Sequence, residues 1–370
     1  MKRLVWIDIS KALAICWVVY FHFFRTVFEQ YDLPPNDWSG LAASTMSILR
    51  EIWWQVSGVG FHAVGAFIVL SGWTLMQSTL RRAEKGAVEW GAWYGARFVR
   101  LYPMYWVAHL VYIVSPCVAR LEPVDGRIIL SLLGLRFVNI EMNFMYLNAA
   151  WWYFSMLIQF YLMFPMLFWA ARKLGPWIFL IAACALGFFV RYLMLGPWPQ
   201  NGLWILGGFA ICRLPELALG MALAMWYEKS PTRVEGLLLR GPGFIAGLLL
   251  YPAALWLYDY SYVYVDFATG ACCFLAIVGL AGIISRFAIP TKLFAVIGAY
   301  SYGLYLIHQP YVIWLGLRIR PQPILVFLLI FLVTLAVLSA WGSILEKATN
   351  GLVSKALAFA KTKSGTSATR

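Results

Sequence analysis

Apolar runs of about 20 residues, each long enough to cross a hydrocarbon core of roughly 30 Å, recur along the whole of this 370-residue chain. No other feature restricts the fold so strongly. A backbone in lipid must bond within its own segment or close into a barrel. Runs such as 324–338 are apolar on every face and lack a barrel strand's period of two, so the chain reads as all-α, a polytopic membrane helix bundle. Composition agrees, with 62% hydrophobic residues, 12% charged residues and a mean hydropathy of +0.74. Ten spans are expected, near 4–24, 57–79, 101–119, 149–170, 176–195, 204–227, 243–258, 268–286, 294–315 and 324–345.

Topology follows from charge. With both termini cytoplasmic, the inner segments collect about 19 of the 29 Lys and Arg, and the outer loops are near neutral. The net charge of +13 is thereby absorbed as a positive-inside signal, which leaves no case for nucleic-acid binding. Lys2 and Arg3 precede the first apolar run as in a secretory signal. That run, however, carries Asp8 and Lys11, exceeds a signal's length and lacks a small-residue cleavage site, so it is kept as a first span. Pro34-Pro35 and Asn36-Asp37 mark turns in a long outer loop, 25–56, and a second long loop at 120–148 joins it in covering an outward cavity. Arg81 to Arg100 is expected to form an interfacial amphipathic helix. Residues 1–350 form one transmembrane domain, and 351–370 a disordered cytoplasmic tail. Six cysteines contain no CxxC pair, so no disulfide framework and no structural metal are expected.

The first span is the unusual one. Lys11 and His22 are 11 positions apart on a helix, within roughly 20° of each other in projection, and Asp8 lies one turn before Lys11. Three titratable groups on one stripe at a cost of roughly 2.5–3.5 kcal/mol each in lipid must face protein or water. His22, with an ordinary pKa near 6.5, suits a general base acting on a hydroxyl. Arg97 and Arg100, three apart in GARFVRLYP, place two guanidinium forks on one face, which suits either a positive-inside anchor or the phosphates of a cytoplasmic donor. Arg213 and Glu216 in CRLPELALG are spaced for an intrahelical pair, and Trp151, Trp152 and Tyr153 read as an aromatic belt or a sugar platform. Tyr161 and His308 complete the polar candidates. All four histidines, His22, His62, His109 and His308, fall inside spans without a carboxylate or thiol at ligand spacing, so no metal is expected.

In combination these pieces resemble the acyltransferase 3 family of integral membrane acyltransferases. The resemblance rests on WIDISKALAICWVVYFH, GAFIVLSGWTL, RFVRLYPMY, WWYFSMLIQFYLMFPML, RLPELALGMALA and SYGLYLIHQP, in that order. It implies transfer of an acyl group, expected to be acetyl from acetyl-CoA, to a hydroxyl of an extracytoplasmic glycan or small molecule. It also implies a bacterial inner-membrane location. The family pattern of an arginine, ten residues and a catalytic histidine maps onto Lys11 and His22, with lysine in the arginine's place, and its arginine pair maps onto Arg97 and Arg100. A glutamate common before FYL is replaced by Leu157, and Glu216 is a candidate substitute. The residues alone also fit a secondary transporter with Asp8, Lys11, His22, Arg213 and Glu216 as a proton relay.

Overall fold

The computed structural model describes residues 4–28, 41–120, 122–320 and 322–367, and among these every regular element is helical. The turn signals at Pro34-Pro35 and Asn36-Asp37 lie outside the described residues. In chain order the helices are α1 (Val5–Phe28), α2 (Leu41–Gly58), α3 (Ala63–Ala83), α4 (Trp90–Val114), α5 (Ile128–Leu132), α6 (Ile140–Met145), α7 (Trp152–Leu174) and α8 (Pro176–Leu195). There follow α9 (Leu214–Lys229), α10 (Pro231–Leu239), α11 (Pro242–Tyr260), α12 (Val265–Ile284), α13 (Ala288–Ala299), α14 (Ser301–Gly316) and α15 (Ile324–Ser367).

Among the described residues six helices are long and apolar enough to cross a membrane, or seven if the bent pair α10 and α11 makes one span, against the ten expected from hydropathy. The difference has local causes. The 101–119 segment belongs to α4, whose first half carries Arg97 and Arg100, and the 294–315 segment divides at Tyr300 into α13 and α14. The 204–227 segment is broken into a π turn, a 3₁₀ turn and the 16-residue α9. Gln159 of α7 bridges that break, donating from Nε2 to Gly208 O at 3.0 Å and accepting the Ala210 amide at 3.1 Å.

Two further expectations change. Arg81 to Arg100 is no separate interfacial helix, because Arg81 and Arg82 end α3 and Arg97 and Arg100 sit inside α4. From residue 351, where disorder was expected, α15 continues to Ser367, over a stretch with no proline in which Leu352, Lys355, Ala356, Leu357 and Ala358 favour helix.

Position in the bundle follows from which faces are apolar. Two thirds of the α1 window is buried, and as much of the span that contains α3, against 22% for α8 and α15, so α1 and α3 are interior helices and the other two present their large apolar residues to lipid. Around α1 lie α3, α12, α13 and α14. Small residues allow the closest crossings. A Cβ on Gly72 would lie 2.1 Å from Leu217 O and one on Gly220 1.9 Å from Val69 O, so α3 and α9 meet backbone to backbone. The same device seats α13 on α1, where a Cβ on Gly298 would fall 1.8 Å from Asp8 O.

A buried charge network holds the broken segment. Asp266 of α12 pairs with Arg191 of α8 at 2.8 Å and Arg213 at 3.3 Å, and Arg213 Nε pairs with Glu216 at 2.7 Å. Arg191 also donates to the Ile205 and Tyr262 carbonyls, and Arg213 to that of Leu206. Removing one partner leaves a buried charge uncompensated, so Asp266→Asn is expected to cost about 3–5 kcal/mol. Thermal unfolding of the purified protein in detergent reads this as a lower melting temperature. An unchanged midpoint would mean the network adds no net stability.

Candidate active site

Helices α1, α3, α4, α7 and α14, with the end of α13, line a cavity of about 440 Å³. The polar stripe of α1 faces it, since Asp8, Lys11 and His22 are all among its walls. Lys11 and His22 are separated by about 16 Å of helical rise, and the cavity therefore has a cation end and a histidine end. Between them the wall includes Ile15, Val18, Phe67 and Leu157. Leu157, in place of an acid, adds to the apolar side of this stretch, which the hydroxyl of Thr74 also lines.

At the cation end Arg97 and Arg100 meet Lys11, and both helices present one face because the spacings are three residues on α1 and three on α4. Arg97 Nη2 donates to Ser78 Oγ at 2.8 Å and its guanidinium lies 5.0 Å from the Trp93 ring centroid. Its Nε, buried, has no hydrogen-bond partner. Arg100 is 47% exposed in its side chain and pairs with Glu346 at 3.0 Å, while the other Glu346 oxygen accepts the Gly303 amide at 2.8 Å. Tyr161 lines the same end, edge-on to Trp93 at 5.8 Å.

At the histidine end the rings of His22 and His308 lie 5.4 Å apart, centroid to centroid. His308 donates from Nδ1 to Tyr305 O at 2.8 Å, a carbonyl being able only to accept. Trp152 and Tyr153 close the wall, with the Tyr153 hydroxyl 3.0 Å from Ser71 Oγ. Trp152 is backed by Gly207, where any Cβ would fall 2.0 Å from its ring.

Of the residues singled out by sequence, nine share this cavity: Asp8, Lys11, His22, Arg97, Arg100, Trp152, Tyr153, Tyr161 and His308. Three do not. Arg213 and Glu216 belong to the charge network described above. Trp151 is fully buried, stacked on His109 at 4.0 Å and donating to Leu306 O, so it serves neither as a belt nor as a platform. The other two histidines lie elsewhere, His62 facing the Tyr251 hydroxyl and His109 set between Tyr105 O and Ser131. Among the described residues no three His, Cys, Asp or Glu side chains gather as a metal requires.

Sequence reasoning missed the hydroxyl row Ser71, Thr74 and Ser78, although its spacing puts it on one face of α3. It also missed Tyr302, Tyr305 and Glu346. The expected last span stops at residue 345, one short of the buried carboxylate that meets Arg100. The long loop at 120–148 folds around another unnoticed residue, Arg136, which is fully buried and donates to Ser131 Oγ and to the carbonyls of Asn143, Tyr146 and Asn148.

Chemically, this is a slot that can hold anionic groups at one end and present a base about 16 Å away, along a wall of mixed apolar and hydroxyl side chains. The family model described as an acyltransferase domain matches residues 4–340, from the first turn of α1 into α15. No curated protein and no solved structure matches the chain. With a family match over nearly its whole length and a bundle of membrane-spanning helices, the protein belongs to the acyltransferase 3 family and is an integral, multi-pass membrane acyltransferase.

Proposed function

We propose that the protein takes acetyl from cytoplasmic acetyl-CoA and transfers it to a hydroxyl of an extracytoplasmic acceptor, a sugar of a surface polysaccharide or lipid-linked glycan. The cation end then faces the cytoplasm, in keeping with cytoplasmic termini and basic inner segments, and the location is a bacterial inner membrane. What supports the donor is the length of the cavity. The arm joining the CoA pyrophosphate to its thioester is a chain of about thirteen atoms, ~16 Å when extended at roughly 1.2 Å per bond. That is the rise from Lys11 to His22, so phosphates held by Arg97, Arg100 and Lys11 leave the thioester beside His22.

In this reading His22 accepts the proton of the acceptor hydroxyl as its oxygen attacks the thioester carbonyl. The C–S bond breaks, and the departing thiolate takes the proton from His22 to leave as CoA thiol. Lys11, a helical span away from the reacting carbon, serves the donor's charge, and Asp8 one turn before it balances the cluster. A proton relay for transport loses its support, because Arg213 and Glu216 lie outside the cavity that holds the other three groups.

The test supplies acetyl-CoA to membranes carrying the protein and follows thiol release together with the mass of the surface glycans. The expected result is acetyl-CoA-dependent thiol release and a gain of about 42 Da per modified site, the mass of an added acetyl. Thiol release without any such adduct, or neither signal, would remove the proposed acceptor class or the donor respectively.

A further inference from the structure

His308 is the least explained polar group in the cavity. It is fully buried, its Nδ1–H is committed to the Tyr305 carbonyl, and its Nε2 has no partner within the protein. A second proton on this ring would sit on Nε2 with no acceptor, so the ring is neutral with a lone pair at Nε2. A buried acceptor of this kind calls for a donor, and the ring facing it is His22. Ring nitrogens lie about 1.1 Å from their centroids, so at 5.4 Å between centroids a nitrogen of each can approach to about 3 Å. The two rings are tilted by 42° to each other.

We propose that His308 sets the tautomer and orientation of His22, an inference that rests on His22 being the base. The chain of hydrogen bonds runs from the acceptor hydroxyl to one His22 nitrogen, from the other His22 N–H to His308 Nε2, and from His308 Nδ1–H to Tyr305 O. With its far nitrogen protonated and held, His22 must present a lone pair to the hydroxyl. When it takes the proton, the imidazolium N–H donates to His308 in a charge-assisted bond. The role is that of the orienting carboxylate in a serine protease triad, filled here by a neutral imidazole whose own tautomer a backbone carbonyl dictates. A carboxylate at this depth would bring a buried charge of its own, which the imidazole avoids. His308 is thus a positioning residue that never touches the acyl group.

The experiment compares wild type, His308→Leu, His308→Gln, His22→Ala and the double variant His22→Ala/His308→Leu in membranes. Label is followed from radiolabelled acetyl-CoA into the endogenous acceptor, normalised to folded protein by thermal unfolding. His308→Leu is expected to lower kcat about 10- to 100-fold and to leave KM for acetyl-CoA within about twofold. His308→Gln, whose amide oxygen can still accept, recovers part of that rate. The double variant is no slower than His22→Ala alone, because His308 acts only through His22. Unchanged kcat in His308→Leu, equal losses in the Leu and Gln variants, or an additive double variant each overturn the positioning role while leaving His22 as base. Full activity in His22→Ala instead overturns the base itself, and the positioning role with it.

Discussion

If the proposed reaction holds, His22→Ala is expected to reduce acetyl transfer by about 10²- to 10⁴-fold, the range that a single general base contributes, with the bundle still folded and acetyl-CoA still bound. The three parts of this expectation come from different features. The rate loss follows because the acceptor hydroxyl is a poor nucleophile until its proton has somewhere to go, and His22 is the accessible imidazole of the two at that end of the cavity, His308 being fully buried. Retained folding follows because the His22 ring faces a cavity, so its loss removes fewer packing contacts than the buried aromatic truncations that cost about 3–5 kcal/mol. Retained donor binding follows from the separation of about 16 Å between the ring and the cations. The measurement is label transfer from acetyl-CoA into the membrane acceptor at matched protein level, beside equilibrium binding of CoA. Activity equal to wild type would sink the assignment, and a loss of CoA binding in step with the rate would turn His22 into a donor contact.

Much of this site was legible in the sequence because membrane cost makes polar residues conspicuous. Asp8, Lys11 and His22 stood out on an apolar helix, and the cavity collects them with Arg97 and Arg100. The same reasoning separates poorly between a charge that serves a ligand and one that serves the fold. Arg213 and Glu216 looked as suspicious as Lys11, yet their partners on α8 and α12 are distant in sequence, and only the packing reveals a closed network. Helix breaks were illegible for a related reason: hydropathy registers apolar content and not the interruptions at Tyr300 and around Gly207, where a glycine passes under Trp152. The small hydroxyl residues gave no signal at all. Ser71, Thr74 and Ser78 cost little in a helix, so nothing marked them until α3 was placed against α1 and α4.

The arginine pair carries the second large effect, and the two members should differ. Arg97 is oriented by Ser78 and Trp93, is half-buried and keeps a buried Nε unpartnered, so a phosphate bound there gains charge-assisted hydrogen bonds worth about 1.5–3 kcal/mol. Arg97→Ala is therefore expected to raise KM for acetyl-CoA about 10- to 100-fold with little change in kcat, since binding is lost equally from ground and transition states. Arg100 is more exposed and already neutralised by Glu346, so Arg100→Ala should cost only about 3- to 10-fold. A positive-inside anchor would also be weakened by these changes, through lower expression or altered insertion, so KM alone cannot separate the roles. The donor itself can. S-acetylpantetheine presents the same thioester and arm without the nucleotide phosphates, and neither substitution should alter its KM. Equal losses with both donors would place the two arginines in the architecture of the bundle, whereas losses confined to acetyl-CoA would place them on its phosphates. Arg97→Lys then tests the fork: a point charge restores part of the affinity but cannot hold Ser78 and a phosphate oxygen in one plane.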